Sequence, residues 1–491
     1  VFKSVASNWT LNLLQMAGLL WLSRFVLHAL GDSPNGLWVS IVSYTGVLSL
    51  LILGVPMASV RAIAQAVAHK DEAAEQRAIS TCLAICMLLG LCALLVAGLL
   101  YLGFDASVLA SKGAEVPPET LRGARLAFAI VGLQVACGFA MRLPYGILEA
   151  HGEFGRRNLV MAGELLLRIL LTFLLLRWRP ELPMLALVLV ASMLFEFAGT
   201  LFVIRRRHPG LSFSLGSFDR SAVRPILSFS VFALLLNVGS LLAFRLDGMV
   251  ISAYMPLSAA TEFDIGNKFF DPLMQFLIGI GAVLMPAATR LKTTGDTSEL
   301  RVVFLRWSKI ALAIVLLVSI YLLILGPAFL AWLYGDEYDL RSGPVLRVLA
   351  ASFLFYLPIR GVALPVLLGL GKPRAPALAL LAMGILNLAL SLALVQPCGI
   401  LGVAIGTAIP NVLFALYVLV LACRELAIPL SEFAARVVLR PLLAALLLGL
   451  PLHFLDHHHP LHGFWPLLLT GLALVALSLT LWQSWVRKGE T

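Results

Sequence analysis

Eleven ionisable side chains lie inside long apolar runs of this 491-residue sequence: Arg24, Arg142, Glu164, Arg168, Glu196, Arg245, Asp247, Asp264, Lys268, Asp271 and Arg360. A charge at the centre of a bilayer costs about 2.5–3.5 kcal/mol on insertion scales, so eleven facing lipid would cost on the order of 30 kcal/mol. They must face protein or a wet cavity. Arginine suits the holding of a phosphate away from bulk water, because its planar fork grips two oxygens and stays charged when desolvated. Arg24, Arg142 and Arg360 have no acid three or four positions away in the sequence, so none has a salt bridge within one helical turn written in. Asp264, Lys268, Asp271 and Gln275 recur at i, i+4, i+7 and i+11, which on a continuous helix makes one polar stripe. Such a stripe is either a self-neutralised network between helices or the wall of a cavity. Glu164 and Arg168, four apart, read as an internal pair. A shorter stripe, Asn8, Asn12 and Gln15, precedes Arg24.

The elements that must position these residues follow from composition. The chain is 60% hydrophobic and only 13% charged, about half the charge of a soluble domain, with a mean hydropathy of +0.96. The apolar residues come in runs of about 20, the length of one crossing. The runs fall near 5–29, 36–67, 79–103, 121–148, 156–177, 183–205, 226–254, 259–287, 302–326, 343–369, 374–396, 399–423, 434–454 and 464–485. The fold class expected is therefore an all-α polytopic membrane protein of about 14 transmembrane helices. Pro56, Pro144, Pro272, Pro286, Pro358 and Pro365 fall in the long second, fourth, eighth and tenth runs, and such bent helices tend to line cavities. The net charge of +10 reads as basic cytoplasmic loops rather than nucleic-acid binding. Loops holding Lys70, Arg156 with Arg157, Arg205–Arg207, Arg290, Lys372 and Arg424 alternate with loops that are almost bare of Lys and Arg. That asymmetry predicts cytoplasmic termini.

A linker at the midpoint of 12 runs suggests two halves of six. Arg24 and Arg245 lie 221 residues apart, as do Leu143-Pro144 and Leu364-Pro365. Six spans is an even number, so the repeat is parallel: two six-helix lobes about a pseudo-twofold axis along the membrane normal, with any site where they meet. The expected divisions are an N-lobe at 1–208, a linker at 209–225, a C-lobe at 226–425, and two C-terminal helices within 426–491.

Several stretches resemble a known family. They are Gly36-Leu-Trp38, Gly46-x-Leu-x-Leu-Leu-x-Leu-Gly54-Val, Ala58-Ser-Val-Arg61 with Lys70-Asp71, and Leu148-Glu-Ala-His-Gly152-Glu-Phe. They look like the O-antigen-type polysaccharide flippases of the multidrug/oligosaccharidyl-lipid/polysaccharide exporter superfamily. The resemblance covers the first 12 runs and implies a transporter in the bacterial inner membrane. Its cargo would be an undecaprenyl-diphosphate-linked oligosaccharide, moved from inner to outer leaflet by alternating access. The partners implied are that glycan, bilayer lipids, a coupling H+ or Na+, and a polysaccharide polymerase with its chain-length protein. No cofactor is implied. Cations at two depths suit a diphosphate, so Arg24, Arg61, Arg142, Arg245, Lys268 and Arg360 are the substrate-binding candidates. Asp264, Asp271, Asp247 and Glu196 are the ion-coupling candidates. A lipid II or cation-coupled multidrug exporter on the same fold is the alternative, although the first run lacks the acid many such drug exporters carry.

An enzymatic reading fares worse. A membrane glycosyltransferase or polymerase needs a sizeable outer loop or an acidic motif; here the outer loops are short and Asp336-Glu-Tyr-Asp339 is the one acidic cluster. The six cysteines lie in or beside apolar runs, where they read as small core residues without disulfides. The first run, which carries Arg24 and has no small-residue cleavage site, reads as a retained span. Asp456-His-His-His459-Pro-Leu-His462 reads as an incidental cluster on an exposed loop, not a metal site.

Overall fold

The computed structural model describes residues 16–487 apart from 17, 53–54, 111–114, 228–230, 295–296, 459–460 and 462. Asn8, Asn12 and Gln15 therefore lie outside the described residues, as do His459 and His462. In hydrocarbon no water satisfies a backbone N–H or C=O, so a crossing chain must bond to itself turn by turn. Leu- and Ala-rich runs do so with little loss of side-chain freedom. Ten helical stretches among the described residues are long and apolar enough to cross a membrane, and the shorter apolar helices Gly18–Leu30 and Phe464–Ser478 accompany them. The chain is an all-helical multi-pass membrane protein.

It packs as two units, Val1–Thr261 and Glu262–Thr491. The first begins with α1 (Gly18–Leu30), α2 (Asp32–Gly46), α3 (Val55–His69), α4 (Glu72–Phe104), α5 (Pro118–Met141) and α6 (Leu143–Ala150). It continues through α7 (Phe154–Trp178), α8 (Leu182–Arg207), α9 (Arg220–Leu227), α10 (Val231–Phe244) and α11 (Asp247–Tyr254) into α12 (Leu257–Asn267). One core packs Ile63, Cys82, Cys86, Phe139, Ile147 and Ile204. A second packs Leu37, Ile41, Phe104, Phe128 and Leu257, with Phe104 and Phe128 stacked at 5.0 Å.

The segment between α8 and α9 is strapped onto this unit. The Gln76 side-chain amide donates to the Ser212 carbonyl at 2.7 Å and accepts from its N–H at 2.9 Å. Thr81 Oγ1 accepts from the Asp219 N–H at 3.0 Å. Leu211, Phe213 and Val223 pack on the Ile63 core. His208 at the start of the strap lies against His151, ring centroids 3.9 Å apart, and each ring meets a carboxylate: His151 with Glu75 at 2.7 Å, His208 with Glu153 at 3.3 Å.

The second unit runs α13 (Phe270–Thr294), α14 (Thr297–Ile324), α15 (Gly326–Tyr334), α16 (Glu337–Pro358) and α17 (Leu364–Gly369). The stretch Arg374–Glu425 then forms a hairpin of α18 (374–398) and α19 (400–425), reversed at Gly399 with φ 61° and ψ −146°. Only glycine takes that turn without strain. A side-chain carbon at Gly402 would lie 2.2 Å from the Leu394 carbonyl oxygen, so glycine also lets the two arms touch. Last come α20 (Leu430–Phe433), α21 (Leu439–His458) and α22 (Phe464–Arg487). The last two rest on α14 through Leu452, Leu467, Leu474 and Tyr321. All six cysteines are free thiols.

Candidate functional site

Four of the six candidate cations stand where a helix is interrupted. Arg142 is the single residue between α5 and α6. Pro144, two residues on, has no N–H for the Ala140 carbonyl and its ring crowds that carbonyl, which kinks the chain there. Arg245 follows α10 and Asp247 opens α11. Lys268 follows α12 and Asp271 lies in the first turn of α13. A cation at a helix C-terminus and an anion at the next N-terminus each face the favourable end of a macrodipole. Arg360 lies in a one-turn π-bulge, Ile359–Ala363, between Pro358 and the Pro365 of α17. Such bulges absorb the backbone bond a proline removes.

The structure corrects the stripe expected on the eighth run. Asp264 and Lys268 keep their ion pair at 2.5 Å, but the helix ends at Asn267 and restarts at Phe270. Asp271 and Gln275 therefore belong to a different helix, and both are exposed. The physical reason is Pro272, which has no N–H to bond the Lys268 carbonyl and sits in the first turn of α13, where a proline is tolerated. Arg24 and Arg61 lie within unbroken helices, α1 and α3. Arg24 is half-buried; Arg61, Arg142 and Arg245 are exposed.

The acids divide similarly. Asp247 is buried. Glu196 on α8 is half-buried, within the field of Arg142 and of Glu164 on α7. Tyr145 joins the same neighbourhood, with the Arg157 guanidinium 5.0 Å from its ring. Glu164 forms no ion pair with Arg168 among the described residues; its charge acts on Glu196. Lys268 has Asp264, Asp271 and Tyr334 around it.

Two polar clusters join residues that carry no local signal in the sequence. One is the Glu75–His151–His208–Glu153 group under the strap. The other is buried in the second unit: Asn387 donates to Thr407 at 3.0 Å, Ser391 to Asn387 at 3.2 Å, and Asn411 to Ser352 at 3.1 Å. Among the described residues, no three His, Cys, Asp or Glu side chains could hold one metal ion.

Known structures share this fold of interrupted helices in a multi-pass bundle. The structure of "Lipid II flippase MurJ", inward closed, matches over 99% of both chains with a TM-score of 0.73 at 16% identity. An inward-facing multidrug resistance MATE family transporter of the MOP superfamily matches at TM-score 0.68 and 18% identity, over 85% of this chain and 94% of that one. At these identities the likeness is one of fold. A curated relative, an uncharacterized membrane protein of Methanocaldococcus jannaschii, is 24% identical over 226 residues, which is 46% of this chain and 44% of that protein's length. The family model "Polysaccharide biosynthesis protein" matches residues 2–292. The chain belongs to that family.

Proposed function

We propose that this protein is a flippase that carries an undecaprenyl-diphosphate-linked oligosaccharide from the inner to the outer leaflet of a bacterial cytoplasmic membrane. In this reading two six-helix lobes alternate in access, two further helices follow, and 14 crossings leave both termini in the cytoplasm. The cargo would serve O-antigen or lipopolysaccharide assembly, with a polymerase and chain-length protein downstream. Arg24, Arg61, Arg142, Arg245, Lys268 and Arg360 would meet the diphosphate, and Asp264, Asp271, Asp247 and Glu196 would carry a coupling H+ or Na+.

The observation that carries the reading is the placement of Arg142, Arg245, Lys268 and Arg360 at helix interruptions. An interruption frees backbone groups that hydrocarbon cannot satisfy. Cations beside such groups suit a cavity that admits and releases an anion. The family match supports a role in polysaccharide export. Lipid II is the second cargo to weigh, because the fold matches that of MurJ end to end.

The test is a deletion strain. Loss of the protein should strand lipid-linked repeat units in the inner leaflet while their synthesis continues. Normal surface polysaccharide in that strain sinks the reading; stranded lipid II with normal surface glycan selects the second cargo. Reporter fusions after Gly31 and after His459 should report outside, and fusions after Asp71 and Arg207 inside.

A further inference from the structure

The hairpin of α18 and α19 bears an open groove whose cavity volume is about 570 Å³, within the ~300–1,000 Å³ typical of ligand sites. Ala375, Ala379 and Ala382, one turn apart on α18, recess its floor. Leu378 and Leu386 on one side and Leu413 and Tyr417 on the other form exposed rims. From Arg374 to Leu386 the floor rises 12 residues, about 18 Å at ~1.5 Å per residue. Half of a ~30 Å hydrocarbon core is about 15 Å, so the groove is as long as one leaflet is deep. Its outward rims are three leucines and a tyrosine, an apolar face of the kind acyl chains bathe.

The end of the groove carries its one charge. Arg374 is exposed and has no carboxylate partner among the described residues. Its neighbours are engaged: Lys372 pairs with Glu425, and Lys292 donates to the Leu370 carbonyl at 2.7 Å. We infer that this groove holds one acyl chain of an anionic phospholipid, with the lipid phosphate on the Arg374 fork. The apolar floor selects a chain, its length selects a molecule confined to one leaflet, and the cation favours a headgroup of net negative charge. The site is independent of the cargo proposed above: none of the cations assigned to the diphosphate lines it.

The full-length protein, purified from vesicles of equal phosphatidylglycerol and phosphatidylethanolamine, tests this by native mass spectrometry after a detergent wash. Wild type should keep a tightly held phosphatidylglycerol. Arg374→Ala should lower its retention about tenfold, and Arg374→Lys should recover part of it, having charge without the fork. Ala379→Trp, which fills the floor but keeps the cation, should also release the lipid; if that variant melts early, Ala382→Leu serves in its place. Retention unchanged in both the Arg374→Ala and the filled-floor variants overturns the site. So does equal retention of the two lipids by wild type, or displacement of phosphatidylglycerol from the groove by an undecaprenyl phosphate added in its place.

Discussion

A Leu-Pro pair opens a new helical segment just after a candidate cation in each unit, at Leu143-Pro144 and at Leu364-Pro365, and the two interruptions differ. In the first unit it is a single residue, Arg142, which is exposed and lies within the field of Glu196 and Tyr145. In the second it is a five-residue π-bulge whose Ile359, Gly361, Val362 and Ala363 are all buried. There Arg360 is half-buried, one turn from a fully buried Tyr356 that packs on Phe414 at 5.7 Å. The same dipeptide thus presents one cation and grips the other. The difference lies in the cation itself: Arg142 is exposed at a kink whose Leu143 and Pro144 are buried, whereas Arg360 is half-buried in a bulge whose other residues are all buried.

The largest expected effects test that contrast directly. Arg142→Ala should abolish transport in a vesicle flipping assay while the protein melts as wild type does. Arg360→Ala should lower transport and also cost about 1–3 kcal/mol of stability, the usual penalty when a buried hydroxyl such as Tyr356 loses a polar neighbour. Lys at position 142 should restore only part of the activity. If Arg142→Ala unfolds, or Arg360→Ala melts normally, the contrast between presenting and gripping is wrong.

Removing the prolines sharpens it. Pro144→Ala returns an N–H to the Ala140 carbonyl, straightens the kink and re-aims Arg142, so flipping should fall about tenfold with stability unchanged or raised. Pro365→Ala acts otherwise, because the ring fills space against Gly281, where an added carbon would lie only 2.6 Å from the proline Cγ. Its loss should cost on the order of 1 kcal/mol in cavity and packing terms. Equal effects of the two substitutions on transport would erase the difference.

These breaks were partly legible in the sequence. Pro144, Pro272, Pro358 and Pro365 announce bent helices, and Arg142 and Arg360 stand within a few residues of them. Charge spacing alone predicts one stripe over Asp264–Gln275, but the missing N–H of Pro272 decides the backbone there. The long-range clusters had no local signal at all. His151 and His208 are 57 residues apart, and nothing in either neighbourhood names the other. Gln76 and Ser212 are 136 apart and meet only once the strap has docked. Asn387 and Thr407 are 20 apart, but they become partners only because Gly399 reverses the chain. Periodicity reports which face of one helix is apolar; it does not report which polar groups two helices will share.

The buried cluster and the strap give the next contrast. Asn387 is 1% exposed, so Asn387→Ala leaves Ser391 and Thr407 short of a partner in a dry setting and should cost about 1–3 kcal/mol. A thermal melt in detergent checks it. Gln76→Ala removes two bonds from an exposed strap, where water replaces them, and should cost no more than about 1 kcal/mol. A larger loss for Gln76 than for Asn387 would mean that the strap, not the hairpin, limits stability.

The smallest effect concerns the far end of the strap. Asp219 precedes α9, and its carboxylate accepts from the Ser221 N–H at 2.8 Å and the Ser221 hydroxyl at 2.6 Å. That is an N-cap, which satisfies N–H groups that the first turn of α9 leaves without an intrahelical partner. The Ser221 hydroxyl and N–H hold the Asp219 carboxyl below its ordinary value, with Arg77 adding a smaller pull in the same direction. A depressed acid contributes its stability above the unfolded value and loses it as pH falls through the lower, folded one. Amide exchange at Ser221 and Ala222 should therefore be slow at neutral pH and quicken only below the ordinary carboxylate range. In Asp219→Ala it should be about fivefold faster at neutral pH and should lose that acid transition, while the amides of the Asn387 cluster in the second unit stay unchanged. Faster exchange in both places would mean that the strap stabilises the whole chain. An unchanged rate at Ser221 would mean that the hold of Thr81 on the Asp219 N–H fastens the strap without the cap.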